Sequence, residues 1–156
     1  MRITDIRELS VQLQGNVANA LVNFSEHTIS LVAVVTDAVR HGKPVIGLAF
    51  DSIGRYAQGG ILRERIIPRV MAAARSAPGS LLDPSGAAFD VSKLLQLMLK
   101  NEKPGGHGDR AAAIGALELA FWDINAKLAD EPAWQTVARH FGTEAKTGGV
   151  HVYAAG

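Results

Sequence analysis

The hydrophobic pattern of this chain changes period once, and that change limits the folds open to it more than any other feature. In the first 50 residues, apolar side chains alternate with polar ones, as at Leu9, Val11 and Leu13, or form short β-branched runs, which is typical of half-buried or buried strands. From Ile61 onward, apolar residues recur every three or four positions, the spacing of amphipathic helices. Strands followed by helices predict an α+β domain whose helices are segregated from an antiparallel sheet.

Three strands are predicted in this first region. The alternating residues indicate a strand near 2–13. Two apolar runs, residues 29–39 and 44–50, are separated by His41 and Gly42, which is a turn signal. The two runs therefore predict a β-hairpin, and with the first strand they make a three-stranded sheet.

Four helices are predicted after the strands. The first, near 61–74, contains Pro68, which lacks a backbone N–H and should kink or split the helix. A short second helix begins after Asp90, a residue suited to the N-cap, and the fourth lies between Pro132 and Gly142. The third has the most regular apolar stripe, formed by Ile114, Leu117, Phe121, Ile124 and Leu128. The tryptophans also have helical spacing and are expected in the core: Trp122 and Trp134.

The last residues of the chain form a separate segment. Residues 150–154 have the composition of a strand, but no obvious partner for it follows. We therefore divide the chain into a domain at 1–146 and a segment at 147–156. We expect the last strand to be disordered or to pair with another molecule.

Composition excludes several classes of function. The 156 residues contain 16 Lys and Arg against 15 Asp and Glu, which is not the basic field of a nucleic-acid-binding protein. There is no cysteine, so disulfides and thiolate metal sites are excluded. No apolar run has signal-peptide or membrane-helix length, and the scattered histidines show no metal-ligand spacing. These features predict a cytoplasmic protein without nucleic acid, membrane or metal bound to this chain.

Three polar loops carry groups that a ligand could contact. They are residues 14–27 with Asn19, residues 51–60 with Arg55 and Tyr56, and residues 101–109 with Lys103 and His107. Each of these side chains, taken alone, is better explained as a solvated or turn-capping group than as a ligand contact. Cationic and amide groups on separate loops, taken together, are what a small polyhydroxy carboxylate requires. The joint arrangement is therefore the hypothesis worth testing.

One stretch of the sequence resembles a known protein family. Residues 112–128 (AAIGALELAFWDINAKL), followed by Pro132, resemble the last helices of the capping domain of the enolase superfamily, in its mandelate racemase-like branch. Further segments with the same resemblance cover nearly the whole chain: Asn19-Ala20, residues 30–37, 54–60, 63–65, 101–108 and 152–156. The segment NEKPGGHG at 101–108 is the most specific of them.

The resemblance implies a fold and a set of roles. Residues 1–146 are expected to form the capping, or lid, domain, and residues 147–156 the start of the first strand of a catalytic barrel. By resemblance, Asn19 and Lys103 match residues that hold the carboxylate and hydroxyl groups of the substrate. Arg55 and Tyr56 lie on a second specificity loop. At His107 we expect a residue that orders the loop.

The resemblance also implies an activity for a parent enzyme. Members of this branch abstract a proton next to a carboxylate, with Mg²⁺ stabilising the enediolate, and the branch includes dehydratases of acid sugars and hydroxy acids. The Mg²⁺ ligands and the catalytic base come from the barrel, which needs about 200 residues. The chain alone is therefore expected to be inactive. Ile53 replaces a substrate-contacting asparagine of members that act on tartrate, so the hydroxy acid is not specified.

Other functions remain open at this level. The chain could be a stand-alone α+β module that binds a small carboxylate, or a structural domain that binds a protein partner, including a second copy of itself. A barrel-coding partner chain, or apolar surface left exposed on this chain, would favour the lid.

Overall fold

The computed structural model describes residues 1–15, 18–51, 57–103, 108–144 and 149–153. It has the predicted α+β fold, with one antiparallel sheet of order β1-β2-β3 covered on one face by helices. The elements are β1 (Ile3–Gln12), β2 (Thr28–Arg40), β3 (Lys43–Phe50), α1 (Gln58–Ile61), α2 (Ile67–Ser76), α3 (Val91–Leu99), α4 (Asp109–Ala129) and α5 (Ala133–His140). Short 3-10 turns cover Phe24–Glu26 and Pro78–Leu81.

The predicted hairpin is confirmed, and its turn has the expected chemistry. Strands β2 and β3 pair in antiparallel register up to Arg40 and Lys43. The two residues between them, His41 and Gly42, both have positive φ, 48° and 72°. Two consecutive left-handed residues give a turn whose twist matches that of the strands it joins, so this local sequence is sufficient to define the hairpin.

The first predicted helix is longer than expected. Residues 58–76 form one helical rod in which α1 passes through a π-helical turn, Leu62–Ile66, into α2. Pro68 lies in the first turn of α2, where its missing N–H costs least, so the predicted interruption takes the form of a π turn that ends two residues before the proline. The predicted loop at 51–60 was too long, because residues 58–60 are already helical.

Helix α4 is the centre of the core. It packs on β2 and β3, and at Gly47 the strand comes so close that a Cβ would lie 2.6 Å from Ile124 Cγ1 and would overlap the carbonyl oxygen of Ala120. Trp122 on the same helix is buried, as predicted, at 7% exposure. The prediction for Trp134 was wrong, since it is 47% exposed. It lies in the first turn of α5, a helix that buries only one narrow face.

An ion pair on α4 occupies the outer edge of the sheet. Asp123 accepts a hydrogen bond from the backbone N–H of Leu48 (2.8 Å), and Lys127 donates to the backbone carbonyl of Ile46 (2.8 Å). The two side chains also contact each other at 2.6 Å. They therefore occupy backbone groups of β3 that another strand would otherwise bind, which protects the edge from pairing with a second molecule.

Removing this ion pair should destabilise the domain measurably. We expect Asp123→Ala to lower the free energy of unfolding by about 1–2 kcal/mol, because the Leu48 N–H loses its acceptor and the Lys127 ammonium loses one of its two acceptors. Urea unfolding followed by circular dichroism measures the change. The control is Glu64→Ala, which removes an exposed helical carboxylate. An equal loss in both variants would contradict the role given to Asp123.

Two helix ends have the predicted caps. Asp90 accepts a hydrogen bond from the backbone N–H of Lys93 (3.0 Å) at the start of α3. Past the end of α5, Gly142 has φ +65° and donates to Arg139 O, while Thr143 donates to Ala138 O, which is the Schellman arrangement. Beyond it, residues 149–153 form no strand and are exposed.

Candidate functional site

Two of the three candidate loops leave the sheet at the same end. Because β1 and β2 are antiparallel, and β2 and β3 are antiparallel, the end of β1, the start of β2 and the end of β3 lie side by side. The loop that carries Asn19 joins the first two of these ends, and Asp51 directly follows the third. The topology therefore fixes the bases of the first and second loops next to each other.

The inner face of the sheet becomes polar at this end. Toward the middle of the sheet it is apolar, with Val32 and Val34 fully covered by the helices. At the loop end it carries Glu8, Ser10 and Ser30, and Ser10 lies opposite Ser30 in the register of β1 and β2. The Glu8 side chain is 0% exposed and accepts a hydrogen bond from Ser10 Oγ at 2.7 Å.

The start of the helical rod packs on Glu8, Ser10 and Ser30, which we call the polar layer. Arg63 forms an ion pair with the Glu8 carboxylate, which offsets its charge. Gly59 packs against the same two residues of β1, since a Cβ there would lie 2.8 Å from Glu8 Oε1 and closer to Ser10 Oγ. A side chain at position 59 would therefore have to displace the ends of these side chains, and the adjacent Gln58 is buried as well.

Asp51 completes the layer at the end of β3. Its Oδ1 accepts the backbone N–H of Ser30 at 2.7 Å, and its own N–H donates to Ser30 O. Burial raises the pKa of the Asp51 carboxyl above its ordinary value; the two backbone N–H groups oppose the rise, and the Glu8 charge adds to it. A buried carboxyl with a raised pKa at the base of a loop is a candidate functional group.

Asn19 lies exposed on the first loop and organises its turn. Its Oδ1 accepts the backbone N–H groups of Leu21 (2.9 Å) and Val22 (2.8 Å), and its own N–H donates to Val22 O. This is the side-chain turn that asparagine commonly forms. The carbonyl oxygen of the side chain is thus used inside the loop, and contact with a substrate stays a prediction for this residue.

Lys103 follows a buried carboxylate that fixes the third loop. The Glu102 side chain is 2% exposed and contacts Arg65 at 2.9 Å, Arg69 at 3.1 Å and Arg110 at 3.5 Å. Arg110 also donates to the carbonyl oxygen of Lys103 at 2.7 Å, while the Lys103 side chain is exposed. The contacts tie the base of this loop to the helical rod and to α4, and its substrate-binding role stays a prediction.

Glu102 should make the domain sensitive to acid. Burial alone would raise the pKa of its carboxyl, but the Arg69 hydrogen bond and the charges of the three arginines outweigh burial and hold the pKa below its usual value. A lowered pKa contributes stability above the unfolded value of 4.5, and that stability is lost as pH falls through the folded pKa. We expect Glu102→Gln to melt below the wild type at about pH 7 and to approach it at about pH 3.

The matched control for Glu102→Gln is Glu64→Gln, an exposed carboxylate on the same rod. Its melting temperature should follow that of the wild type at both pH values. A difference in melting temperature between Glu102→Gln and the wild type that widens as pH falls would contradict the stabilising role of the ion pairs between Glu102 and its three arginines.

The remaining candidates lie outside the described residues: Ile53, Arg55, Tyr56 and His107. Within the described ranges, no group of three or more His, Asp or Glu side chains could hold a metal ion. No helix in this part of the chain is long and apolar enough to cross a membrane.

The polar layer was not predicted from the sequence. The alternation of Leu9 and Val11 identified the strand, but these apolar side chains lie on its exposed outer face. The polar members of the same alternation, Glu8 and Ser10, face the helices. A carboxylate in phase with the buried Ile6 and with Ser10 was the available signal.

Comparison with known proteins finds the same fold in a solved structure. No protein-family profile matches the chain. Its structure is similar to that of a mandelate racemase/muconate lactonizing enzyme-like protein from Rubrobacter xylanophilus, with a TM-score of 0.51 and 17% sequence identity. The match covers 87% of this chain and 33% of the other, so the chain spans about a third of that protein's length. The chain therefore shares its α+β fold with part of a mandelate racemase/muconate lactonizing enzyme-like protein.

Proposed function

We propose that this chain is the substrate-recognising lid domain of an enolase-superfamily dehydratase acting in the cytoplasm on an acid sugar or hydroxy acid. The observation that carries the proposal is the group of buried polar side chains, Ser30, Asp51 and Gln58, at the loop end of a sheet with the capping-domain fold. Polar groups that are covered by helices at the base of two loops cost stability, and such groups are concentrated at functional sites.

The proposed substrate follows from the recognition groups. Lys103 offers a cation and Asn19 an amide, a combination suited to a carboxylate bearing hydroxyl groups. Segments around these residues resemble D-tartrate dehydratase, but Ile53 cannot make the hydrogen bonds of the asparagine found there. We therefore propose a substrate related to tartrate without assigning tartrate itself, with Arg55 and Tyr56 contributing from the second loop.

The described residues do not fit a magnesium site. Mg²⁺ takes oxygen ligands in octahedral geometry, commonly with more than one carboxylate nearby, and no such group occurs among the described side chains. In the proposed enzyme the metal and the base that removes the α-proton belong to a barrel domain. The chain's own contribution is to bind the substrate's polar groups and to exclude water from the barrel mouth.

An exposed apolar surface supports the proposal that this domain binds a large partner. The outer face of the sheet and the adjoining side of α4 form a groove of about 780 Å³. Its exposed apolar side chains are Leu9, Leu31, Leu48, Phe50 and Leu119. Contiguous apolar patches of this kind mark protein interfaces, and we propose that a barrel domain or a second copy of the chain covers it.

The test is a screen for 2-keto acid formation from tartrates and aldonic acids. It compares the chain alone with the chain joined to the barrel of a mandelate racemase-like protein, both supplied with Mg²⁺. We expect turnover only from the joined form, because the described residues supply recognition groups and no metal-binding cluster. Turnover by the chain alone would overturn the lid proposal.

A further inference from the structure

One row of large apolar side chains crosses the outer face of the sheet. Leu9 lies opposite Leu31 in the register of β1 and β2, and Leu31 lies opposite Phe50 in the register of β2 and β3. Leu9 and Phe50 are each 63% exposed, and Leu31 between them is 38% exposed. Large apolar side chains left uncovered along one row of a sheet indicate that another surface packs on them.

The neighbouring row has opposite charges at its two ends. In this row Arg7 on β1 lies opposite Ala33, and Ala33 lies opposite Leu48. Asp123 on α4 accepts the backbone N–H of Leu48, so its carboxylate continues the row past the edge of β3. Arg7 and Asp123 also line the same groove. The row therefore runs from a cation, through two apolar residues, to a carboxylate.

Both charged ends keep atoms available for a partner. Arg7 binds Asp5 through Nε at 2.7 Å, and its side chain is 76% exposed. Leu48 and Lys127 both donate to Oδ2 of Asp123. Among the residues that the structure describes, these contacts leave the terminal nitrogens of Arg7 and Oδ1 of Asp123 unengaged. A guanidinium and a carboxylate in this state suit a charge-assisted hydrogen bond.

A two-fold rotation about an axis parallel to the strands makes this face complementary to itself. The rotation lays β1 of one copy over β3 of the other, so Leu9 packs on Phe50 of the second copy. By the same operation Arg7 meets Asp123 of the second copy, and the contact forms twice. An axis that crosses the strands along the charged row would instead place Arg7 against its own equivalent, where like charges repel. The charges therefore select the axis parallel to the strands.

We propose that a second copy of the chain covers the outer face, with the two sheets packed face to face about a two-fold axis parallel to their strands. A second copy is favoured over a barrel because it carries the same row and therefore the matching charges. This dimer does not depend on the proposed lid function, since it uses neither the loops nor a substrate.

The size of the face limits the strength of the dimer. The stretch of β1 from Asp5 to Val11 is about 20 Å long and three strands are about 14 Å wide, so the face covers roughly 300 Å² per copy. Even with the adjoining side of α4, this area is smaller than the about 800 Å² per partner of a standard interface. We therefore expect a weak dimer that dissociates on dilution.

Analytical ultracentrifugation of the full chain over a range of concentrations tests the proposal. We expect the wild type to change from monomer to dimer as its concentration rises. Arg7→Glu and Asp123→Lys each turn two symmetric attractions into repulsions, and each should raise the dissociation constant of the dimer about 10-fold or more. The control is Arg75→Glu, which changes the net charge as Arg7→Glu does but lies exposed on α2, on the helical side of the sheet. It should dimerise like the wild type.

An equal mixture of Arg7→Glu and Asp123→Lys identifies the arrangement of the dimer. In a mixed pair the introduced glutamate faces the introduced lysine, and the native Arg7 of one copy faces the native Asp123 of the other. Both attractions therefore return. The mixture should dimerise at a concentration at which each variant alone is monomeric.

Leu9→Ser keeps the test independent of the contacts that Asp123 makes within one copy. Leu9 is exposed on the outer face, so the fold should be retained while the contact with Phe50 of the second copy is lost. If circular dichroism shows that Asp123→Lys does not fold, Arg7→Glu and Leu9→Ser decide the result, and both should weaken the dimer.

Three results would overturn the proposal. A wild type that stays monomeric at its highest soluble concentration would leave the groove to a barrel or another partner. A dimer that neither Arg7→Glu nor Leu9→Ser weakens would place the interface on another surface. Folded Arg7→Glu and Asp123→Lys variants that fail to dimerise when mixed would exclude the pairing of Arg7 with Asp123.

Discussion

Gly47→Ala is expected to be the most destabilising single substitution in the sheet. A Cβ at this position would overlap the carbonyl oxygen of Ala120 and lie 2.6 Å from Ile124 Cγ1. The first contact is with the backbone of α4, which cannot rotate away as a side chain can. Overpacking of a core usually costs about 1–3 kcal/mol, and we expect about 3 kcal/mol or more here. Urea unfolding of the purified chain measures the loss.

Gly115→Ala is the matched control, because Gly115 lies within α4 itself. A Cβ there meets nothing within 4 Å, and replacing a glycine inside a helix by alanine stabilises it by roughly 0.5–1 kcal/mol. The two substitutions add the same methyl group and should change stability in opposite directions. Two changes of the same sign would contradict the close packing of β3 on α4.

The fold could be predicted from the sequence where local chemistry decides the structure. The His41-Gly42 turn, the Asp90 N-cap and the Gly142 end of α5 each depend on a few adjacent residues. The α4 stripe is equally local because its apolar spacing spans the helix. These features placed three strands and four helical segments in the right order, and the resemblance then identified the fold.

Features that depend on distant contacts could not be predicted in the same way. Glu102 is buried because arginines from the helical rod and α4 surround it, and Arg65 is 37 residues away. The pattern at Leu9 predicted a strand without indicating which face the helices cover. Trp134 is large and apolar, but no element packs over it fully. Burial of this kind is set by tertiary packing.

The candidate site likewise has some residues that the local sequence predicts and others that depend on distant contacts. Sequence and resemblance singled out Asn19 and Lys103, which are exposed loop residues recognised by type and position. The residues at the bases of the loops, next to the sheet, were identified only from the structure. Asp51 and Gln58 belong to a polar layer assembled from all three strands and α1, and no short motif encodes that layer.

Lys103→Ala is expected to have the largest effect on the proposed activity. In the chain joined to a barrel, Lys103 would face the substrate carboxylate, and a hydrogen bond to a charged group contributes about 1.5–3 kcal/mol. Its loss predicts a fall in kcat/KM of roughly 10- to 100-fold for hydroxy-acid substrates. Lys103→Arg, which keeps the charge on a bulkier head group, should retain more activity than the alanine variant.

Lys100→Ala separates substrate recognition from general charge effects. Lys100 is exposed and lies three residues before Lys103, at the end of α3, so both alanine variants change the net charge equally. Stability should be little changed in either, because both side chains are exposed. A fall in kcat/KM confined to Lys103→Ala would support direct contact with the substrate. Equal falls in both variants would indicate only long-range attraction of an anionic substrate, and an unaffected Lys103→Ala enzyme would remove Lys103 from the site.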